Sequence, residues 1–302
     1  MNTSFANEQR GRVGGARLRR IIARALLALC VLGAVAACTT ARLAYNQAPN
    51  LSWWWLNREF DIGEAQADQV RGDIDGFFSW HRREELPQYA GLLRQWQAMA
   101  VRDVTAQEVC QQFDTIRERL VLASDRMVEP FARLALQLTP DQLAHLRERH
   151  ADSNAEFASD FIEGTAEERL ERRLDRTVSR TESLYGRLSR EQRALLRERL
   201  AASPWDPRRA QAERLRRQAD LLQTVRTVQA RPDQANDAVR AKFRRLAESP
   251  TPGHQAANAV AIRHACQQFA DLHNSTTPEQ RAQAVQVLQG YERDLQVLSA
   301  QR

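Results

Sequence analysis

The sequence predicts an all-α fold, a multi-helix bundle of antiparallel helices joined by short capped loops. Three observations carry this. From about residue 58 onward apolar residues recur every three or four positions, and no stretch alternates apolar with polar side chains as a half-buried strand would. A short phrase, Ser or Thr followed three residues later by Gln or Glu, opens one apolar-periodic segment after another. It is the capping box, in which the hydroxyl and the longer side chain each satisfy a free backbone amide at a helix start. Proline gathers in turns such as Ser203–Pro207 and Ser249–Gly253.

At the amino terminus, Met1–Arg20 is polar and basic, Ile21–Val35 is apolar apart from Arg24, and Ala36, Ala37 and Cys38 close the run. A basic segment, an apolar stretch of roughly 7–15 residues and a small-residue exit mark an export signal. The uninterrupted run from Ala25 to Cys38 falls short of the roughly 20 apolar residues that span a bilayer. Val35-Ala36-Ala37-Cys38 resembles the lipobox of bacterial lipoproteins. That resemblance implies a signal peptide over 1–37, cleavage before Cys38, and diacylglyceryl and further acyl chains on Cys38. Two or more such chains hold a protein stably at a membrane. Thr39 in place of Asp, by likeness to enterobacterial sorting, implies the periplasmic face of the outer membrane, with the inner membrane as the alternative.

Removal of 1–37 changes the composition. The whole chain carries 44 Lys and Arg against 38 Asp and Glu, net +6. The leader takes six arginines and one acid with it, which leaves 38 against 37, net +1. A near-neutral body speaks against nucleic acid as a partner. No Gly-rich phosphate loop and no G-x-G-x-x-G occurs, which speaks against nucleotides. No cofactor is expected, and no metal.

Residues 38–57 read as a lipidated tether with a Trp-rich entry, and 58–302 as the helical domain. Trp53, Trp54 and Trp55 are adjacent and point in different directions on any regular element. They either plug the start of the core or rest at the membrane interface, where Trp is favoured. Helices are expected over 64–84, 88–101, 106–136 (bent at Pro130), 140–162, 166–187, 190–202, 207–230, 233–247, 255–273 and 278–300. Their starts are marked at Thr139/Gln142, Thr165/Glu168, Ser189/Gln192 and Thr277/Gln280, with weaker copies at Thr105/Glu108 and Gly63/Gln66. The expected buried stripe of 106–136 is Val109, Phe113, Ile116, Leu120, Met127, Phe131 and Leu134. That of 140–162 is Leu143, Leu146, His150, Phe157 and Phe161.

Of four cysteines, Cys30 leaves with the leader and Cys38 is the lipidation site. Cys110 and Cys266 remain, each opening the same tetrapeptide, Cys-Gln-Gln-Phe. In an exported protein such a pair reads as a disulfide, two buried thiols being the other reading. It would close a loop of roughly 155 residues, for which chain-entropy arithmetic gives about 5 kcal/mol.

The stretch Phe77–Trp96, the helix starts at Leu138–Gln142 and Leu188–Gln192, and the lipobox together resemble an uncharacterised family of bacterial lipoproteins, domain of unknown function 6279. The resemblance covers most of the chain after Cys38 and brings no activity with it. The Leu-Thr-x-x-Gln phrase is also similar to that of the much shorter periplasmic stress chaperones of the Spy and CpxP type.

For chemistry the residues offer one weak candidate. His81 precedes Glu84 and Glu85 at about one helical turn, a spacing that suits an acid–base pair or a hydrogen bond at a helix end. His145 and His150 stand five apart, about 140° around a helix, which is wrong for one metal. His150 reads as a core histidine. The opposite charges three and four apart through 167–200 read as a solvated helix surface or a docking face. The expected function is a non-enzymatic interaction or scaffold module of the envelope, acting on a protein partner. A chaperone or stress-sensing lipoprotein is the first alternative, and an enzyme using His81 with Glu84 or Glu85 the second.

Overall fold

The computed structural model describes residues 41–301. The signal peptide expected over 1–37 and the lipidation site Cys38 lie outside the described residues. Residues 41–46 are helical, and the main unit begins at Ala48. From Ala48 onward the chain forms twelve α-helices, and no strand is found among the described residues, so the fold is all-α. We number them α1 (Ala48–Phe60), α2 (Glu64–Trp80), α3 (Leu86–Ala100), α4 (Ala106–Arg126), α5 (Val128–Gln137), α6 (Pro140–Phe161), α7 (Ala166–Tyr185), α8 (Arg190–Ala201), α9 (Pro207–Ala230), α10 (Ala235–Ala247), α11 (His254–Asn274) and α12 (Pro278–Ala300).

The five Ser and Thr capping boxes expected from the sequence are formed, and at Gly63 the Gln66 half of the box is present. Thr105, Thr139, Thr165, Ser189 and Thr277 each accept from the amide three residues on, and the Gln or Glu there reaches back to the cap residue. The boxes divide into two kinds. Glu108 and Glu168 sit toward solvent and cap only their own helix. The glutamines cap their helices and also bind one another across the fold. Gln66 Nε2 and Gln142 Nε2 each donate to the other's Oε1, at 3.2 and 2.8 Å. Gln66 also donates to the Gln137 carbonyl, and Gln142 to the Asp61 carbonyl. Gln192 and Gln280 repeat the arrangement, with Ser275 and Arg187 supplying the carbonyls. In each case the accepting carbonyl belongs to the residue two before the partner's cap. Two symmetric clasps therefore join the start of α2 to that of α6, and the start of α8 to that of α12. Asp61, with φ 47°, takes the left-handed conformation that Asp tolerates, and its carbonyl completes the first clasp. Gly164, with φ 84°, precedes the α7 cap; a Cβ there would lie 2.6 Å from the Glu168 carboxylate that closes the box.

Three departures from the sequence reading have local causes. Ala48–Phe60 is a helix, an element that the expected set of helices does not include. Trp53 packs on the core with the Arg71 guanidinium 3.9 Å from its ring centre, while Trp54 and Trp55 remain 57% and 54% exposed. The expected bent helix over 106–136 is two helices that part at Met127. Pro130 then falls in the first turn of α5, where its missing N–H would have had no helical partner. Between α2 and α3 the chain stays helical through a widened π turn, His81–Glu85, in which the Leu86 amide reaches the His81 carbonyl. Pro87 is thereby placed at a helix start, and its ring is kept out of a continuous α-helical ladder.

Burial gathers at two ends. The larger cluster joins α1, α2, α5, α6, α9 and α10 through residues such as Val70, Ile74, Leu146, Val225 and Val239. Three smaller clusters join α3, α4, α7, α8, α11 and α12. There α12 lies along α3, and α11 along α4. Two residues of the expected α4 stripe stay outside: Phe113 is 50% exposed and Leu120 61%. The neighbours of α4 cover only part of its apolar face. Val109 and Leu134 are buried as expected.

Candidate functional site

The π turn His81–Glu85 carries all three residues of the His81 candidate and gives them different surroundings. Glu84 points to solvent, whereas Glu85 is buried and accepts from Arg119 at 3.2 Å. The other Glu85 oxygen is buried without a hydrogen-bond partner among the described residues. His81 sits among aromatic rings, with Phe77 and Tyr89 at 5.7 and 5.6 Å between centroids. Burial lowers its pKa, against the pull of Glu85. Neither cavity described next is lined by His81, Glu84 or Glu85.

The cysteines converge. Cys110 on α4 and Cys266 on α11 hold their sulfurs 2.05 Å apart, disulfide distance, across a sequence separation of 156. The shared tetrapeptide explains what lies beside them. One turn on from each cysteine, Phe113 and Phe269 both line an apolar groove of about 340 Å³. Trp96, Ile116 and Leu288 continue it. Gln112 accepts from the Trp96 indole at 2.9 Å and so fixes that ring. Beneath lies one buried polar pair. The Arg102 carbonyl can only accept, so His273 Nε2 carries the proton and donates to it at 2.7 Å. His273 Nδ1 then accepts from the Tyr185 hydroxyl at 2.8 Å. Burial lowers the His273 pKa and raises that of Tyr185, so both are held neutral. The groove is thus apolar with its internal polar atoms already satisfied, a surface that gains from covering by another apolar group.

A second cavity of about 580 Å³ opens between α1, α6, α9 and α11. Trp55, Phe157 and Trp205 supply its flat surfaces, and His150, Arg209, Glu213, Arg214 and His254 its polar ones. His150, expected as a core residue, is half-buried in this wall; burial lowers its pKa, Glu59 raising it and Arg214 adding to the fall. His145 faces elsewhere and binds the Arg58 carbonyl at 2.9 Å. Sequence reasoning missed this cavity, having taken Ser203–Pro207 only as a break, although Trp205 within a Pro-flanked turn was a signal. No His, Cys, Asp and Glu group placed to hold a metal is found among the described residues, nor a helix long and apolar enough to cross a membrane.

The model of a Family of unknown function (DUF6279) matches residues 59–242, more than half of the chain. The chain belongs to this family. The matched region of this DUF6279 protein runs from the end of α1 into α10, and so takes in the π turn, the first clasp and Cys110, while Cys266 and the second partner of the other clasp, Gln280, lie beyond it. No curated protein and no solved structure matches it.

Proposed function

We propose that this protein is a non-enzymatic binding module, lipid-anchored through Cys38 on the periplasmic face of the outer membrane, whose helical body holds an apolar segment of an envelope protein. The groove beside Cys110 and Cys266 carries this reading. It is open, apolar, flanked by the disulfide and lined by two phenylalanines, Phe113 and Phe269, that are half-exposed in the absence of a partner. The lipobox residues Val35–Cys38 and their place after an apolar run support the anchor. The same groove favours a second reading, a chaperone that takes unfolded clients.

A photo-crosslinking residue at position 113 separates them, with one at exposed Leu215 as control. Capture of one or a few envelope proteins at 113 and none at 215 is the expected outcome. A broad set of unfolded clients would favour the chaperone, and equal capture at both positions would remove the groove from the account. Acyl labelling and membrane fractionation of Cys38→Ser test the anchor: both should be lost, and unchanged behaviour would refute it.

A further inference from the structure

We infer that the cleft between α1, α6, α9 and α11 is a second binding site, for a small organic anion with a flat apolar part. Its size lies within the range of ligand cavities, about 300–1,000 Å³, and it combines a few polar groups with aromatic walls, as such sites do. The charge arrangement then narrows the ligand.

The carboxylates in the wall are already engaged. Glu59 pairs with Arg149 at 3.6 Å, and Asp206 accepts from the first amides of α9. Glu213 is buried and bound by Arg216, Arg217 and the Thr251 hydroxyl, which hold it ionised despite burial. Two guanidinium groups are different. The Arg209 side chain is exposed, and its guanidinium makes no ion pair or hydrogen bond among the described residues. Arg214 is half-buried and meets only neutral acceptors: its Nε donates to the Asn154 carboxamide oxygen at 2.8 Å, and its Nη2 to the Ser153 hydroxyl and carbonyl. Its Nη1 makes no hydrogen bond among the described residues. A charge drawn partly out of water and left without a counter-charge is costly. These neutral contacts fix its orientation without neutralising it, and a guanidinium held so is a ready fork for a carboxylate, sulfonate or phosphate.

The rest of the wall suits the remainder of such a ligand. The Arg214 guanidinium lies 5.8 Å from the Phe157 ring centre, so an anion on it is brought beside an aromatic face. Trp55 is half-exposed, and Trp205 has Arg173 and Phe161 packed against it, which fixes its ring. His254 adds a buried Nδ1 with no hydrogen-bond partner among the described residues.

The test uses two probes of one shape on the full chain, 2-naphthalenesulfonate and neutral 2-naphthalenemethanol, measured by calorimetry. The sulfonate is expected to bind at least about tenfold more tightly, as a charge-assisted contact would require. Arg214→Gln should bring it down to the level of the alcohol while circular dichroism is unchanged. Equal binding of the two probes, or an unchanged sulfonate affinity in a folded Arg214→Gln protein, would overturn the inference. If that variant does not fold, Arg209→Gln at the exposed position decides, weakened sulfonate binding supporting the site and unchanged binding overturning it. Phe113→Ser should leave sulfonate binding intact. Loss there would place the probe in the apolar groove and overturn the assignment, without touching the reading of the groove itself.

Discussion

The two ends of the molecule share a device and differ in what surrounds it. Each has a glutamine clasp between two helix starts. At the first, Gln66 and Gln142 are both buried against the large apolar cluster of α1, α2, α5, α6, α9 and α10, with no covalent link. At the second, Gln192 is buried but Gln280 is only half so, the apolar clusters are small, and the Cys110–Cys266 pair joins two of the helices. The difference teaches where order comes from at each end. A large core secures its helices by area; a small one leaves a groove open and needs a tie across it.

The comparison can be broken most sharply at the tie. Replacing both Cys110 and Cys266 by Ser should cost up to about 5 kcal/mol, the chain-entropy figure for so long a loop. Hydrogen exchange should then show α4 and α11 losing protection before α6 and α9; uniform loss would mean that the two ends do not differ as described. Next comes Leu146→Ala at the large core, where a leucine 1% exposed is removed. The expected cost is about 3 kcal/mol, from lost burial and the cavity left behind, read as a shift of the denaturation midpoint.

The clasps sharpen it further. Gln142→Leu takes one of its two partners from the buried Gln66 amide nitrogen and removes those of the Thr139 amide and the Asp61 carbonyl, and should cost about 2 kcal/mol. Gln280→Leu should cost about half as much, because water reaches its side of the pair. Equal costs in urea titrations would show that burial does not separate the two clasps.

The smallest effect is on pH. His150 at one end and His273 at the other have pKa values lowered from 6.5 by burial. The unfolded chain therefore takes up protons first as pH falls through 6.5, so stability present above that value is lost toward acid. His273→Gln should flatten the dependence without abolishing it, and an unchanged slope would remove His273 from it. The groups facing His273 include Arg102, Asp103 and Arg281.

Much of the fold was legible because helix starts are local chemistry. Thr139 with Gln142 needs only the four residues from cap to amide, and the boundary follows within a residue. Legibility failed where a neighbour decides. The stripe Val109–Phe113–Ile116–Leu120 gives a face, but α11 determines how much of it is covered, so Phe113 and Leu120 stay out. Pro130 ends one helix three residues earlier than a bend would, because a first-turn position suits it. The Trp-rich segment has no capping box, and Pro49 near its start was its one helix signal. One further signal stood in plain view: the box residue is Glu where the helix start faces solvent, at 108 and 168, and Gln at the four starts that pair. Two carboxylates could not be brought together there, whereas two carboxamides each donate and accept. Of the candidate sites, the cysteines were readable from their repeated tetrapeptide. The cleft was not, since Trp55, Phe157, Arg214 and His254 come from four separate helices or loops.

The long span between Cys110 and Cys266 also imposes an order of events. At about 5–20 residues per second, synthesis delivers the second cysteine some ~10–30 s after the first. For that interval Cys110 has no Cys266 to pair with, while Cys30 and Cys38 precede it in the sequence. Lipid on Cys38, if it is attached there as proposed, would also withdraw one wrong partner from Cys110 before the right one has been made. The groove is correspondingly a late product, because its lining draws on residues before and after that span, from Trp96 to Leu288.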